Sequence, residues 1–304
     1  MRRTNNNHNK ADGFERRIEL YLVENFKHSF EMESYVYYTQ VMQAETLASA
    51  YRLWRRNWRG RGKEYTAGAL VWQINDCWPV TSWAIVDYFL RPKPAFFAVA
   101  RELRPFTVGM TRKEYRSFEN DRSTTKFTIE TRLEIWGTNS TLADKKVTLE
   151  VTSFDLDSDW RDKWSKEVIL AQNASTELFK GELPGQPIRT KQSEVPRVII
   201  VSARLLDESG EVLGRYSNWP EPFKFIRFPS LKALGLKATV SDDGESVTLS
   251  SNKPIKGIIL DAEGDDVNWS DQAIDLVPDD PQSIKAVGLN GRDVKLRYLG
   301  DGSA

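Results

Sequence analysis

Two textures of apolar and polar positions divide the chain. From Phe127 the period is two: Phe127, Ile129, Thr131, Leu133 and Ile135 alternate with Thr128, Glu130, Arg132 and Glu134, which predicts a half-buried strand. Val147, Leu149 and Val151 repeat it, as do Ile199, Val201, Ala203 and Leu205. Asp207-Glu208-Ser209-Gly210 then turns the chain back into Val212 to Tyr216, a hairpin signal. Short alternating strands in succession predict an antiparallel sandwich of immunoglobulin-like type over residues 104–228. A boundary near Phe228-Pro229 opens residues 229–304. There Leu236, Ala238 and Val240 lead through Asp242-Asp243-Gly244 to Val247 and Leu249, with further strands at Gly257 to Leu260 and Val294 to Leu299. This predicts a second, smaller β-sandwich.

Before Arg104 the pattern is helical, with one interruption. Residues 1–16 are polar and aperiodic and read as a loop or disordered. Arg17 to Phe30 predicts a helix and Ser34 to Trp58 a longer one, with Tyr35, Tyr38, Met42 and Leu53 on its buried stripe. Arg52, Arg55, Arg56, Arg59 and Arg61 crowd its end, where cations suit the helix dipole, and Gly60 and Gly62 stop it. A solvated face is the plainer reading of these arginines, a phosphate site the sharper one. The interruption is Gly68-Ala69-Leu70-Val71-Trp72, apolar throughout, as a strand buried on both faces requires. It breaks into Gln73, Asn75, Asp76, Cys77, Trp78 and Pro79. Such an ending delivers amides, a carboxylate and flat apolar rings to a pocket, and in a (β/α)8 barrel the pocket lies at the C-terminal strand ends. Arg91-Pro92-Lys93-Pro94 punctuates the chain before a short helix from Ala95 to Leu103, opened by proline.

Composition narrows the function. Lys+Arg and Asp+Glu both number 43 in the 304 residues, so there is no basic excess to favour nucleic acid or a membrane surface. The one cysteine, Cys77, excludes an internal disulfide framework and reads as a small buried filler. No apolar run approaches the ~20 residues of a membrane helix. The first residues lack the apolar core of a signal peptide, which leans toward an intracellular location. His8 has no partner spacing for a metal, and neither a metal nor a cofactor is expected.

Five of the 10 tryptophans fall between Trp54 and Trp83, and here the residues become specific. Trp72-Gln73-Ile74-Asn75-Asp76-Cys77-Trp78-Pro79, Ser82-Trp83-Ala84, Asp87-Tyr88 and Leu90-Arg91-Pro92-Lys93-Pro94 resemble the fungal β-mannosidases of glycoside hydrolase family 2. Tyr21-Leu22-Val23-Glu24-Asn25-Phe26, Tyr38-Thr39-Gln40 and Gln43-Ala44-Glu45 carry the same resemblance. It is specific from about Tyr21 to Leu103 and thereafter lies in pattern and order. The resemblance implies a multidomain α/β plus β chain: the C-terminal portion of a (β/α)8 TIM barrel over residues 1–103, incomplete, followed by the two sandwiches. It also implies an exo-acting retaining hydrolase of terminal β-mannosides, with this chain as its C-terminal third and the N-terminal portion missing.

Retaining glycosidases use a nucleophile and an acid/base carboxylate about 5 Å apart. In the family both glutamates precede this segment, and no matching motif occurs here, so the chain alone is expected to be inactive. Glu24 and Glu45 fall in helical patterns away from strand ends. What remains is part of a sugar-binding wall. Trp72 reads as a platform under a pyranose ring, against plain barrel core. Asn75 and Asp76 read either as ligands of sugar hydroxyls or as caps of the following loop. Trp78 reads as a second pocket wall or as packing beneath the loop, and Trp83 and Asp87 as structural. Trp136, Trp160, Trp164 and Trp219 offer a lectin-like alternative, against which stands burial in the sandwich. The sequons at Asn139, Asn173 and Asn268 matter only in a secreted chain. Other family 2 activities (galactosidase, glucuronidase, glucosaminidase) and a non-catalytic carbohydrate-binding module stay open. With strand edges left unpaired, residues 1–103 are not expected to form a stable unit.

Overall fold

The structure, a computed structural model, describes residues 13–27, 29 and 31–301. Of the loop expected over residues 1–16, residues 1–12, with His8, lie outside them, and Phe14 to Arg16 belong to a helix instead. The chain splits into two compact units: Arg52–Gly68 with Leu103–Pro220, and Met1–Tyr51 with Ala69–Glu102 and Glu221–Ala304.

The former, a β unit, is a seven-stranded antiparallel sandwich. Its strands are β1 (Phe106–Asn120), β2 (Ser123–Asn139), β3 (Lys145–Asp155), β4 (Arg161–Leu170), β5 (Ala174–Glu182), β6 (Ile199–Leu206) and β7 (Val212–Asn218). They form sheets ordered β1-β2-β5 and β4-β3-β6-β7. The period-two positions do what the pattern asks: Leu133, Ile135, Leu149, Val151, Val201 and Leu205 are fully buried in one core. The Asp207–Gly210 turn closes β6 on β7 because the Asp207 carboxylate accepts from the Ser209 and Glu211 N–H groups at 2.9 and 3.0 Å. Gly210 supplies the left-handed residue, with φ 88°.

One face departs from expectation. Glu134 and Trp136 belong to the outward set, yet both are buried. The end of the second helix explains it. Arg56 stacks 4.2 Å from the Trp136 ring and bonds Glu177 and Glu134 at 2.6 and 2.9 Å. Gly109, paired with Trp136 across β1 and β2, makes room for the indole; a Cβ there would meet it at 2.5 Å.

The other, helical and β unit contains α1 (Phe14–Asn25), α2 (Met32–Arg56, to Tyr51 in this unit) and α3 (Pro94–Glu102). A 3₁₀ turn, Phe223–Phe225, and a one-turn α4, Leu231–Leu234, lead into a second seven-stranded sandwich. Its strands are β8 (Lys237–Val240), β9 (Ser246–Ser250), β10 (Ile255–Asp261), β11 (Asn268–Trp269), β12 (Ile274–Leu276), β13 (Gln282–Val287) and β14 (Lys295–Arg297). The sheets run β12-β10-β14 and β11-β13-β9-β8. The first helix thus starts before Arg17 and ends before Phe30, which itself lies outside the described residues. The buried stripe of α2 is Tyr35, Tyr38, Val41, Ala44, Ala48 and Tyr51; Met42 is only partly buried and Leu53 is exposed.

The helices pack on the second sandwich. The Tyr37 hydroxyl donates to the Gly257 carbonyl at 2.8 Å, Phe26 stacks on Tyr38 and tilts on Phe223, and Arg101 pairs with Asp271 and donates to the Gln272 and Ala273 carbonyls. Residues 1–103 are thus no compact unit of their own: most of them cluster with residues 221–304, and Arg52–Gly68 with the first sandwich.

The expected strand at Gly68–Trp72 does not form. Leu70 is 97% exposed and Trp72 77% exposed, so one face is bare, while Val71 on the other is half-buried against Ile85 and the alanines of α2 and α3. A strand needs a neighbour to take its N–H and C=O groups. Among the described residues none pairs with Gly68 to Trp72; the contact nearest to a parallel ladder is an isolated bridge between Asn75 and Val86. Of an α/β barrel, residues 13–103 therefore present helices and no paired strand.

Candidate functional site

The stretch from Leu70 to Lys93 folds as a loop with one anchored hand and one bare hand. The anchored hand is Ala84, Ile85 and Val86. Ile85 packs among Ala44, Ala48, Ala95 and Ala98 of α2 and α3, and the Gln43 amide from α2 donates to the Trp83 carbonyl at 2.8 Å. Backbone bonds tie the two arms, Val86 N–H to Ile74 O at 2.8 Å and Lys93 N–H to Ile85 O at 2.9 Å.

Polar side chains hold the turn between the arms. The buried Asp76 carboxylate accepts the Ser82 hydroxyl at 2.7 Å, with Lys93 Nζ at 3.9 Å. Gln73 uses both ends, accepting the Trp83 indole N–H at 3.2 Å and donating to the Asn75 carbonyl at 2.7 Å. The Asn75 amide donates to the Asp76 carbonyl at 3.2 Å, and its residue is exposed. Asp87 closes the distal turn through the Arg91 N–H and guanidinium, at 2.9 and 2.7 Å. Partial burial pushes the Asp87 carboxyl up, but these bonds prevail and hold it below the usual range.

The bare hand is apolar. Leu70, Trp72, Ile74, Trp78, Phe89 and Leu90 all face outward. Exposed apolar side chains gathered on one loop mark an interaction surface more than scattered ones do. Trp72, Asn75 and Trp78 thus lie on the solvent side while Asp76 is turned inward. Cys77 is exposed, so it is not the buried filler its surroundings suggested: the strand that would have buried it is absent. Trp83 and Asp87 bond within the loop.

The remaining candidates resolve into structure. Glu45 pairs with Lys256 at 2.7 Å, and Glu24 is exposed on α1. Arg52 stacks on Tyr216, Arg55 donates to the Arg104 carbonyl, and Arg56 is held by Glu134 and Glu177. These three arginines dock the helix end on the first sandwich, which replaces the solvated-face and phosphate readings for them, while Arg59 and Arg61 are exposed as a solvated face has them. A cleft of about 770 Å³ beside Arg56 is lined by the same ion pairs, with Lys180 on Glu134 at 3.3 Å. Trp136 and Trp219 are buried, and Trp160 and Trp164 pack against the core, so these rings serve the sandwich. The Asn139 amide is consumed by the Ala143 and Leu170 carbonyls, whereas Asn173 and Asn268 are exposed.

Sequence reasoning missed Gln43, Gln73, Ser82 and Lys93 as the loop's fasteners. Gln43 carries a usable signal, an amide beside the buried Ala44 on a helix stripe. Ser82 and Lys93 carry none, because their partner is fixed only once the loop closes. Among the described residues no group of His, Cys, Asp and Glu is placed to hold a metal ion.

Residues 131–224 match the mannosidase Ig/CBM-like domain and residues 231–297 an Ig-fold domain. β-Mannosidase B of Thermothelomyces thermophilus is 43% identical over 299 residues, which is 96% of this chain and 34% of that protein. The β-mannosidase B of Aspergillus niger is 40% identical over 294 residues, 96% of this chain and 33% of its own length. Among solved structures, a β-D-mannosidase from Dictyoglomus thermophilum shares the fold with a TM-score of 0.75 at 22% identity, over 97% of this chain and 33% of that one. An exo-chitosanase from Amycolatopsis orientalis shares it at 0.59 and 15%, over 94% and 36%. The chain is thus homologous to the fungal β-mannosidase B proteins over a stretch about a third of their length.

Proposed function

We propose that this chain is the C-terminal third of an exo-acting retaining β-mannosidase and supplies part of the wall of its sugar site. In that reading Gly68 to Trp72, unpaired in this chain, becomes the last barrel strand only beside the earlier strands of the whole enzyme, and residues 1–103 with the two sandwiches at 104–228 and 229–304 are the end of the enzyme. The catalytic glutamates come from earlier barrel strands outside this chain. The observation that carries the reading is the two-handed loop: its inner side is fastened by hydrogen bonds and an alanine-lined pocket, while Leu70, Trp72, Ile74 and Trp78 wait uncovered. A rigid base under exposed rings is what a pyranose subsite needs, since a fixed indole face offers contact area at little entropic cost.

Within the site, Trp72 is the platform under the sugar at the cleaved bond, Asn75 a hydroxyl ligand and Trp78 a flanking wall. The chemistry belongs to the two glutamates: one protonates the leaving oxygen, the other forms and releases the glycosyl-enzyme. This chain contributes binding that tightens as the ring flattens toward the oxocarbenium ion, and only such differential binding speeds the step. No cofactor or metal is required.

The test uses the full-length polypeptide and this chain side by side on an aryl β-mannoside. Turnover is expected from the former alone. Turnover by this chain, abolished by one Glu→Gln change, would refute the division of labour. Preference of the full-length enzyme for a β-galactoside, β-glucuronide or β-glucosaminide would move it to another family 2 activity. The match to an Ig/CBM-like domain favours a second reading, a carbohydrate-binding accessory module. Manno-oligosaccharide binding that survives Trp72→Ala in this chain would support it.

A further inference from the structure

The Asp76 carboxylate is the most enclosed polar group of the loop, with its side chain 1% exposed, while Trp72 nearby is 77% exposed. It accepts from Ser82 Oγ at 2.7 Å. That same oxygen of Ser82 accepts the N–H of the fully buried Ala84 at 3.0 Å, so the bond chain runs from Asp76 into the core. Lys93 sits on the other side with Nζ at 3.9 Å, and its backbone N–H is fixed to Ile85 O. The Asp76 N–H donates to Val86 O at 3.3 Å and its carbonyl accepts from the Asn75 amide at 3.2 Å. One residue therefore ties the Trp72 arm, the Ser82–Val86 arm and the start of α3 together. Turning that carboxylate outward to a sugar would strand a charge that is now bonded, and orphaning a buried charge is among the costlier changes in a protein.

Resting on the mannosidase reading above, we infer that Asp76 is a positioning residue that acts through Trp72 and Asn75, with Ser82 as its relay, and touches no substrate. Its effect on the reaction is the placement of the Trp72 ring and of the Asn75 amide. A misplacement near 1 Å at a distance from the reacting atoms costs on the order of 100-fold in rate.

The experiment is a double-mutant cycle in the full-length enzyme, read as kcat/KM for an aryl β-mannoside and as Tm on the same samples. Asp76→Ala is expected to lower kcat/KM on the order of 100-fold. In a Trp72→Ala background the same change is expected to add little, because residues that act as one unit are not additive. Ser82→Ala, which removes the relay and leaves both carboxylate and indole, is expected to reproduce the loss. Asp76→Asn, whose amide oxygen still accepts the Ser82 hydroxyl, is expected to restore most of it.

Additive losses at Asp76 and Trp72, or a Ser82→Ala enzyme with unchanged kcat/KM, would overturn the inference, as would a fall in Tm with normal kinetics. If Asp76→Ala does not fold, Ser82→Ala carries the test alone. A wild-type enzyme inactive on every β-mannoside would instead remove the functional reading. The positioning claim is then read on this chain itself, from the indole N–H resonance of Trp72. A shift on Ser82→Ala upholds it, and an unchanged resonance overturns it.

Discussion

The two sandwiches share a plan of three strands against four and treat charge in opposite ways. On the outer face of its four-stranded sheet, away from the Arg56–Glu134 pair, the first carries charges as bridges between strands. Glu150 on β3 accepts from Arg204 Nε on β6 at 3.0 Å and pairs with Lys163 on β4 at 2.8 Å. In the second, the ammonium of Lys256 on β10 is 3% exposed and is held between Glu45 of α2 and Asp275 of β12, at 2.7 and 3.3 Å. The difference follows from what covers each sheet. A face left to water keeps its ions screened and cheap to remove; a face covered by a helix encloses them, and each then depends on its partners. One fold plan therefore yields two kinds of stability, set by the neighbour rather than by the strands.

Removing the enclosed cation should have the largest effect. Lys256→Ala leaves Glu45 and Asp275 facing each other without their shared partner, a change of about 3–5 kcal/mol for a broken buried pair. Amide hydrogen exchange should show the loss in α2 and β8–β14 while the first sandwich keeps its protection. Equal loss in both would mean that the enclosure is not specific to the second. Next comes the first sandwich's own tight spot. Gly109→Ala pushes a methyl into the Trp136 indole, and overpacking of this kind costs about 1–3 kcal/mol. Denaturant unfolding followed by tryptophan emission should report it, and a neutral outcome would mean that the ring slides under Arg56 without cost.

These contrasts show which parts of the molecule the sequence could reveal. Both sandwiches were legible because period-two runs such as Leu133-x-Ile135 and Val147-x-Leu149-x-Val151 state which face seeks burial. The helices were legible within a few residues for the same reason. What the pattern cannot state is the identity of the covering neighbour. Glu134 reads as an outward residue and is buried, beside Trp136 on the same face, because Arg56 arrives from far along the chain. Gly68 to Trp72 reads as buried on both faces and leaves Leu70 and Trp72 bare, because burial on the second face requires strands that the described residues do not provide. In the candidate site, Trp72, Asn75, Asp76 and Trp78 stood out by residue type. Ser82, Lys93 and Gln43 did not, since a serine or lysine becomes a fastener only through a partner that folding brings to it.

A smaller effect is expected from the exposed bridges. Lys163→Ala removes one half of the Glu150 pairing from a side chain that is 53% exposed, and pairs of that kind contribute about 0.2–1 kcal/mol. A loss much above that, measured by denaturant unfolding at low salt, would show that the Glu150 bridge behaves like the enclosed one.

Acid should separate the two sandwiches most finely. Burial pushes Glu134 and Glu150 up, but bonds to Arg56 and Lys180, and to Lys163 and Arg204, prevail and hold both below the usual glutamate value. A depressed carboxyl contributes stability that is present above its unfolded pKa, near 4.3, and lost as pH falls through the folded value. The first sandwich should therefore hold its stability down to about pH 4 and then decline. Asp275 moves the other way. Burial pushes it up and Glu45 adds to the push, against the pull of Lys256 and the Gly257 N–H. A raised carboxyl binds its proton more tightly in the folded state, so its contribution is complete below the unfolded value, near 3.9, and is lost as pH rises through the folded one. Acidification from neutral pH should then spare or slightly strengthen the second sandwich over a range where the first has yet to change. Hydrogen exchange of β3 and of β10 across a pH series, corrected for intrinsic rates, reads both at once. Asp275→Asn should flatten the response of β10 alone. Parallel acid curves in the two sandwiches, or an Asp275→Asn chain that keeps the wild-type slope at β10, would break the comparison at its root, since enclosure would then leave no mark on how the second sandwich meets protons.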